Sequence, residues 1–316
     1  MNLTHNEYSP PQDSKSNSTN ININGRTEVY GLLGDPVAHT FSPQIHHAAA
    51  RLLGQNIAYL PFHVKPAALA DAVKGAHALG IQGLNVTIPH KQAVMESVIA
   101  LDESAQLAGA VNTLQYTDDG YVGHNTDVPG LSASLALNGV DIRGKDVILI
   151  GAGGSANAAA LTAAQNEARS LTIVNRTKPR AQSLKEHINT FYPIPIQVVA
   201  LDDITSLRRG DVVIQSSAVG FGAEKGRSPL PDTSFFQQVG AQAAVDLIYT
   251  PWKTRFLEQA EESGLPIAVN GFDMLVFQAL RAYEIWRGVL ITAEDKRRLR
   301  DALQETYCGT IHTNSD

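Results

Sequence analysis

"VILIGAGGSANAAALTAAQNEARSLTIVNRTKPRA", residues 147–181, decides how this chain is read. An apolar strand breaks into glycines, an alanine-rich helix follows, and a second strand ends at Asn175 before Arg176 and Thr177. Gly151, Gly153 and Ala156 have the spacing of a dinucleotide-binding turn, with alanine in the third place. Glycine permits a tight turn and close backbone approach, and the helix start offers free N–H groups and a positive dipole end to a pyrophosphate. The expected cradle is Gly151, Ala152, Gly153, Gly154, Ser155 and Ala156. At the end of the second strand an NAD-binding chain places an acid on the ribose hydroxyls; here the text is "NRTKPR". A carboxylate would repel a 2′-phosphate, whereas Arg176, Arg180 and the Thr177 hydroxyl beside Asn175 would pair with one. The competing reading makes the arginines the solvated start of a helix. Position and the lack of an acid favour NADP(H) as cofactor, and that cofactor implies hydride transfer.

Working outward, 316 residues suffice for two domains of ordinary size. A formal net charge of −6 argues against a nucleic-acid partner, since phosphate tracking needs a local basic excess. No run of about 18 apolar residues is present, so no membrane span is expected. The single cysteine, Cys308, excludes an intramolecular disulfide and a thiolate zinc cluster. None of the ten histidines shows ligand spacing, so no metal is expected. Residues 1–26 are rich in Asn, Ser and Pro, lack signal- and transit-peptide features, and read as a disordered tail on a cytoplasmic protein.

Beyond that tail, strand and helix signals alternate, which predicts mostly parallel sheets covered by helices. "VNTLQYTDDGYVGHNTD" breaks the rhythm with two short strands flanking Asp119-Gly120, a hairpin signal. A second αβ run starts after Asp127, and the chain closes in two helices with no strand between them. The expectation is therefore two αβ domains around a cleft. Residues 27–127 with 270–316 form one, and residues 128–269 form a Rossmann-type doubly wound parallel sheet.

The first domain concentrates hydroxyl and amide residues at strand-to-helix junctions: Thr40, Ser42, Asn85, Thr87 and Asn112, joined by Lys91 and Asp127. Each has a plain alternative. Ser42 before Pro43 suits an N-cap, Asp127 could cap the next helix, Lys91 could be a surface lysine and Thr87 a strand residue. The alternatives do not explain why these residues fall at consecutive junctions, where αβ sheets gather ligand sites.

"GDPVAHTFSPQIHH", "GLNVTIPHK", "LAGAVNTL", "GHNTD", "LIGAGGSA", "NRTKPRA" and "GFDMLVFQA" occur in the order found in shikimate dehydrogenases, and the chain resembles that family from about Tyr30 to Leu290. The resemblance implies reversible NADPH-dependent reduction of 3-dehydroshikimate to shikimate, in aromatic amino acid biosynthesis. It puts Thr40 and Ser42 on the substrate carboxylate, Asn85, Thr87 and Asn112 on the rest of the substrate, and Lys91 with Asp127 in the catalytic place. Tyr249 and Gln278 match further substrate contacts, and Gly271 and Met274 match residues lining the nicotinamide. The chemistry is consistent: carbonyl reduction needs a hydride on one face and a proton source at the oxygen, which a lysine held by a carboxylate can supply. The expected partner is thus a small-molecule substrate, on a monomer or homodimer.

The chain also departs from the family pattern. Thr40 replaces a serine, Gln215 an asparagine, Asn270 an aspartate and Asp273 a glycine, and the glycine usual after Asp127 is missing. These departures bear on substrate choice, so a quinate or quinate/shikimate dehydrogenase, using NAD or NADP, is the alternative. A nucleotide-sensing regulator without turnover is a remote one, disfavoured because it would need neither Lys91 nor Asp127.

Overall fold

The strand Val147–Ile150 is apolar at every position because both of its faces are covered. Val147 and Leu149 pack into a cluster with the alanines of the following helix. Ile148 and Ile150 point the other way, into a cluster with Val213, Phe235, Phe236 and Phe256. A strand with two buried faces is the mark of a parallel sheet between helix layers. This is seen in a computed structural model that describes residues 23–313; most of the expected tail, residues 1–22, lies outside the described residues.

In chain order the first αβ run comprises β1 (Glu28–Gly34), α1 (Ser42–Leu52), β2 (Ile57–His63), α2 (Leu69–Ala78) and β3 (Gly83–Val86). It continues through β4 (Ala100–Leu101), α3 (Glu103–Ala108), β5 (Thr113–Thr117), β6 (Gly120–His124) and α4 (Asp127–Leu137). The second run has β7 (Asp146–Ile150), α5 (Gly154–Gln165), β8 (Ser170–Asn175), α6 (Lys178–Phe191) and β9 (Ile196–Ala200). It ends with β10 (Val212–Gln215), α7 (Ser234–Val239), β11 (Ala243–Asp246), α8 (Arg255–Glu262) and β12 (Ile267–Val269). Helices α9 (Phe272–Arg287) and α10 (Ala293–Thr313) follow.

The first sheet has the order β2-β1-β3-β5-β6-β4 and is mixed, because β5 runs antiparallel to both β3 and β6. The β5–β6 hairpin pairs Thr117 with Gly120, so its two loop residues are Asp118 and Asp119. Gly120 opens β6 at φ +149°, a value that side chains disfavour, and this places the turn one residue earlier than the Asp119-Gly120 signal suggests. The second sheet has the order β12-β11-β10-β7-β8-β9, and every pairing is parallel. Renumbered within the run, this is the doubly wound order, with the switch point between β7 and β10, where such sheets bind ligands.

Helices α4 and α9 carry the chain between the two sheets and pack along each other. Helix α9 also packs on α1, with Phe272, Val276, Leu280 and Tyr283 in one cluster with Tyr30, Ile45 and Tyr59. Gly83 leaves room for Trp286 of α9, whose Nε1 donates to Leu114 O at 2.9 Å. Helix α10 adds Leu303 and Tyr307 to the same cluster. The terminal helices thus fold back on the first sheet while the start of α9 stays beside the second.

Candidate active site

Lys91 follows β3, and its carbonyl accepts Val111 N–H at 2.8 Å, which ties the lysine's backbone to the strand entering β5. Its Nζ donates to Asp127 Oδ2 at 2.6 Å, with the two side chains 15% and 6% exposed. The other carboxylate oxygen of Asp127 accepts Asn112 Nδ2 at 2.8 Å. Asn112 Nδ2 also lies 3.0 Å from Thr126 Oγ1 and 3.4 Å from Gln278 Oε1, so residues from three junctions and from α9 form one network. A buried ion pair is tolerable only when its remaining oxygens and protons find partners, and Asn112 provides that here. Asp127 does not cap α4: the N-cap position is Thr126, without a side-chain cap bond, and the Asp127 carboxylate is committed to Lys91 and Asn112.

Ser42 is likewise not a cap. It is the first residue of α1, Phe41 holds the N-cap position, and Ser42 Oγ accepts the Thr40 hydroxyl at 3.0 Å. Thr40 and Ser42 thus present two adjacent hydroxyls at a helix start, where backbone N–H groups favour an anion. Tyr249, on the loop after β11, makes no hydrogen bond through its hydroxyl among the described residues, and burial pushes its pKa up to about 12. It therefore stays a neutral donor at physiological pH. Thr87 is half-buried at the end of β3, its methyl against Gly34.

Asn85 is more occupied than a ligand contact requires. Its Oδ1 accepts the Tyr59 hydroxyl at 2.8 Å and faces His46 Nε2 at 3.1 Å, while its Nδ2 donates to Asn112 O and Thr113 Oγ1 at 3.3 and 3.2 Å. His46 stacks on Tyr59 with ring centroids 4.1 Å apart, and burial lowers its pKa to about 3, so it is neutral. Because Asn85 Oδ1 can only accept, His46 Nε2 carries the proton. Thr113, Thr126, His46 and Tyr59 complete the network and were not singled out in the sequence. Adjacency to Asn112 and Asp127 was the available signal for the two threonines. The two rings meet through β2 and α1, which no local pattern shows.

On the opposite side, Gly151 has φ +117°, and a Cβ there would lie 2.5 Å from Ser216 Oγ, so the turn requires glycine. Among the described residues beyond its chain neighbours, a Cβ on Gly153, the N-cap of α5, would meet nothing within 4 Å, and one on Gly154 would meet, outside its own helix, only Lys91 Cδ at 3.9 Å. The space is open above a helix start, as a pyrophosphate needs. Ala152 and Ser155 are half-buried, and Ala156 is buried where the helix meets the sheet. Asn175 Nδ2 donates to Thr177 O at 2.9 Å, which folds the β8–α6 junction. Arg176, Thr177 and Arg180 are exposed there, and neither arginine has a carboxylate partner among the described residues. These features fit a dinucleotide carrying a 2′-phosphate. Gly271 is buried against Leu247 O, and Met274 is mostly buried in a cluster with Val128, Leu131 and Val269. Gln215 holds the loop after β10 by accepting Ser217 N–H at 2.9 Å and donating to Val219 O at 2.8 Å.

Among the described residues, no three His, Cys, Asp or Glu side chains are placed to hold a metal, and no helix is long and apolar enough to cross a membrane.

Residues 32–114 match the family model of the shikimate dehydrogenase substrate binding domain, and residues 134–220 match that of shikimate / quinate 5-dehydrogenase. A curated shikimate dehydrogenase (NADP(+)) from Methanopyrus kandleri is 40% identical over 276 residues, which covers 86% of this chain and 94% of the relative. Shikimate 5-dehydrogenase from Listeria monocytogenes, solved with shikimate and NAD, superposes with a TM-score of 0.80 at 32% identity over 90% of this chain and 98% of that one. The enzyme from Thermus thermophilus, solved with NADP(H) and shikimate, gives a TM-score of 0.76 at 30% identity over 88% and 100% of the two chains.

Proposed function

Since the chain belongs to the shikimate dehydrogenase family, we propose that it catalyses the reversible NADPH-dependent reduction of 3-dehydroshikimate to shikimate in aromatic amino acid biosynthesis. The observation that carries this reading is the Lys91–Asp127 pair at 2.6 Å, whose lysine stem passes beside Gly154 at the dinucleotide turn. A proton source held at the cofactor cradle is what carbonyl reduction requires.

Bound NADPH supplies the hydride. Lys91 Nζ gives its proton to the carbonyl oxygen as charge develops there, and in the reverse direction takes it from the ring hydroxyl. Asp127 fixes the ammonium in place, and Asn112 fixes Asp127. Thr40, Ser42 and Tyr249 donate to the substrate carboxylate. Thr87, Asn112 and Gln278 take ring hydroxyls, and Asn85 serves from within its own network, so that a ligand bond there displaces a protein partner. Gly151 to Ala156 receive the pyrophosphate, Arg176, Thr177 and Arg180 the 2′-phosphate beside Asn175, and Gly271 and Met274 border the nicotinamide. In this reading residues 27–127 with 270–316 hold the substrate and residues 128–269 the cofactor. The protein works in the cytoplasm, as its single cysteine suits, as a monomer or homodimer.

The test is the initial rate followed by nicotinamide absorbance, with shikimate and quinate each offered NADP⁺ and NAD⁺. Fastest turnover of shikimate with NADP⁺ is expected. Preference for quinate or NAD⁺ would retain the Lys91–Asp127 chemistry and make Thr40 a specificity determinant. No turnover by folded, NADP-binding protein would make the chain a nucleotide sensor.

A further inference from the structure

The hydroxyls assigned to the substrate carboxylate come from two different layers. Thr40 and Ser42 stand at the start of α1 on the first sheet, and Tyr249 stands on the loop after β11 of the second. Their relative position therefore has to be set by something that touches both. Tyr307 of α10 does so, and it is 6% exposed. Its ring packs edge-on against Phe41, the residue between Thr40 and Ser42, with centroids 5.0 Å apart. It also lies 6.0 Å from the Tyr249 ring and 5.2 Å from Phe272 at the head of α9. The Tyr307 hydroxyl donates to Tyr249 O at 3.1 Å, which leaves its oxygen free to accept the hydroxyl of Thr250 in a short hydrogen bond.

We propose that Tyr307 is a positioning residue for recognition of the substrate carboxylate: it joins the Thr40–Ser42 turn to the Tyr249 loop and sets the distance between the two sets of hydroxyls. The inference rests on the substrate roles proposed above for Thr40, Ser42 and Tyr249. The Tyr307 hydroxyl holds Tyr249 by its carbonyl, not by its phenol, so the Tyr249 hydroxyl remains free for the ligand. Helix α10 thereby gains a part in substrate selection, although it follows the last αβ unit and contributes no group to the reacting atoms.

The experiment compares wild type, Tyr307→Phe, Tyr249→Phe and the double variant in the full chain, reading KM for shikimate, kcat, and NADPH affinity by cofactor fluorescence. Tyr307→Phe keeps the ring and removes both hydroxyl bonds. The expected result is a rise in KM for shikimate of about five- to tenfold, with kcat within about threefold of wild type and NADPH affinity unchanged. Because Tyr307 acts through Tyr249, the double variant should be no worse than Tyr249→Phe alone. Thr250→Val, which removes one of the same bonds from an exposed residue, should raise KM in the same direction if Tyr307→Phe does not fold. An unchanged KM in Tyr307→Phe, additive penalties in the double variant, a silent Tyr249→Phe, or a fall in kcat and NADPH affinity together would each overturn the proposal. A wild type that does not oxidise shikimate defeats the functional reading itself. An active wild type with uncoupled variants defeats this inference alone.

Discussion

A Cβ built on Gly154, at the start of α5, would stand 3.9 Å from Lys91 Cδ, the one atom outside its own helix within 4 Å among the described residues. The two residues belong to different αβ runs, so Lys91, proposed above as the proton source, and the dinucleotide turn face each other across the boundary between those runs. Lys91 needs Asp127 to hold its ammonium at that boundary, and Asp127 needs Asn112 to satisfy its second oxygen.

On the proposed role of Lys91, removing the lysine removes the proton source and leaves the cradle intact. Lys91→Ala should lower kcat for shikimate oxidation by about 10²- to 10⁴-fold with NADP⁺ affinity preserved. Asp127→Asn, which can still meet Lys91 through its amide oxygen, should lower kcat by a smaller factor. Steady-state kinetics paired with cofactor-fluorescence titration separates the two effects. Loss of cofactor binding in either variant would show that the pair is structural.

The arginines at the β8–α6 junction, which have no carboxylate partner among the described residues, lead to a cofactor prediction. A charge-assisted bond to a phosphate contributes about 1.5–3 kcal/mol. Arg176→Gln and Arg180→Gln should thus each raise KM for NADP⁺ by about 10-fold or more, while KM for NAD⁺ stays within about twofold. Equal losses with both cofactors would mean that the arginines shape the junction and read no phosphate.

Much of this was legible because the informative patterns are local. The β7–α5–β8 run carries its own period and its own glycines, so strand, turn and helix follow from short-range rules. Lys91 and Asp127 sit in short motifs whose spacing survives without the fold. What escaped was set by tertiary contact. Thr126 and Thr113 look like ordinary junction threonines until Asn112 is placed between them. The partners of Asn85 are equally hidden in the sequence, because His46 and Tyr59 reach it from α1 and β2. Ser42 followed by proline has the composition of a cap, yet the helix starts on it, because Phe41 is drawn into the core against Phe272 and Tyr307. Asp273 departs from the family glycine, and the structure supplies its partners in Arg300 Nε at 2.5 Å and Asn138 Nδ2 at 2.7 Å.

The crossing of α4 and α9 gives a stability prediction. A Cβ on Gly130 would lie 2.7 Å from Gln278 Cβ and 2.9 Å from Gln278 N, and backbone cannot step aside as a flexible side-chain end can. Gly130→Ala should therefore destabilise the protein by about 1–3 kcal/mol despite alanine's better helix propensity. Because Gln278 reaches toward Asn112, KM for shikimate should rise as well. Thermal melts and kinetics check both parts, and a more stable variant would mean that the helices can separate without cost.

Asp246, at the end of β11, is fully buried and predicts a pH dependence. Burial raises its pKa to about 7, against the hydrogen bonds from Thr254 Oγ1 at 2.6 Å and Ile248 N–H at 3.0 Å that favour the carboxylate. In the unfolded chain the same group titrates near about 3.9. Between these two values the folded state holds the proton and the unfolded state does not, so stability falls as pH rises from about 4 to about 7 and levels off above that. Asp246→Asn stays neutral throughout and lacks this slope. His46, whose pKa is lowered by burial, acts with the opposite sign, but it is present in both proteins and cancels in the difference. The melting temperature of the variant minus that of wild type should therefore increase steadily across this interval. A difference that stays flat would mean that the Asp246 carboxylate is ionised throughout the range, held by Thr254 and the Ile248 amide more strongly than burial opposes it.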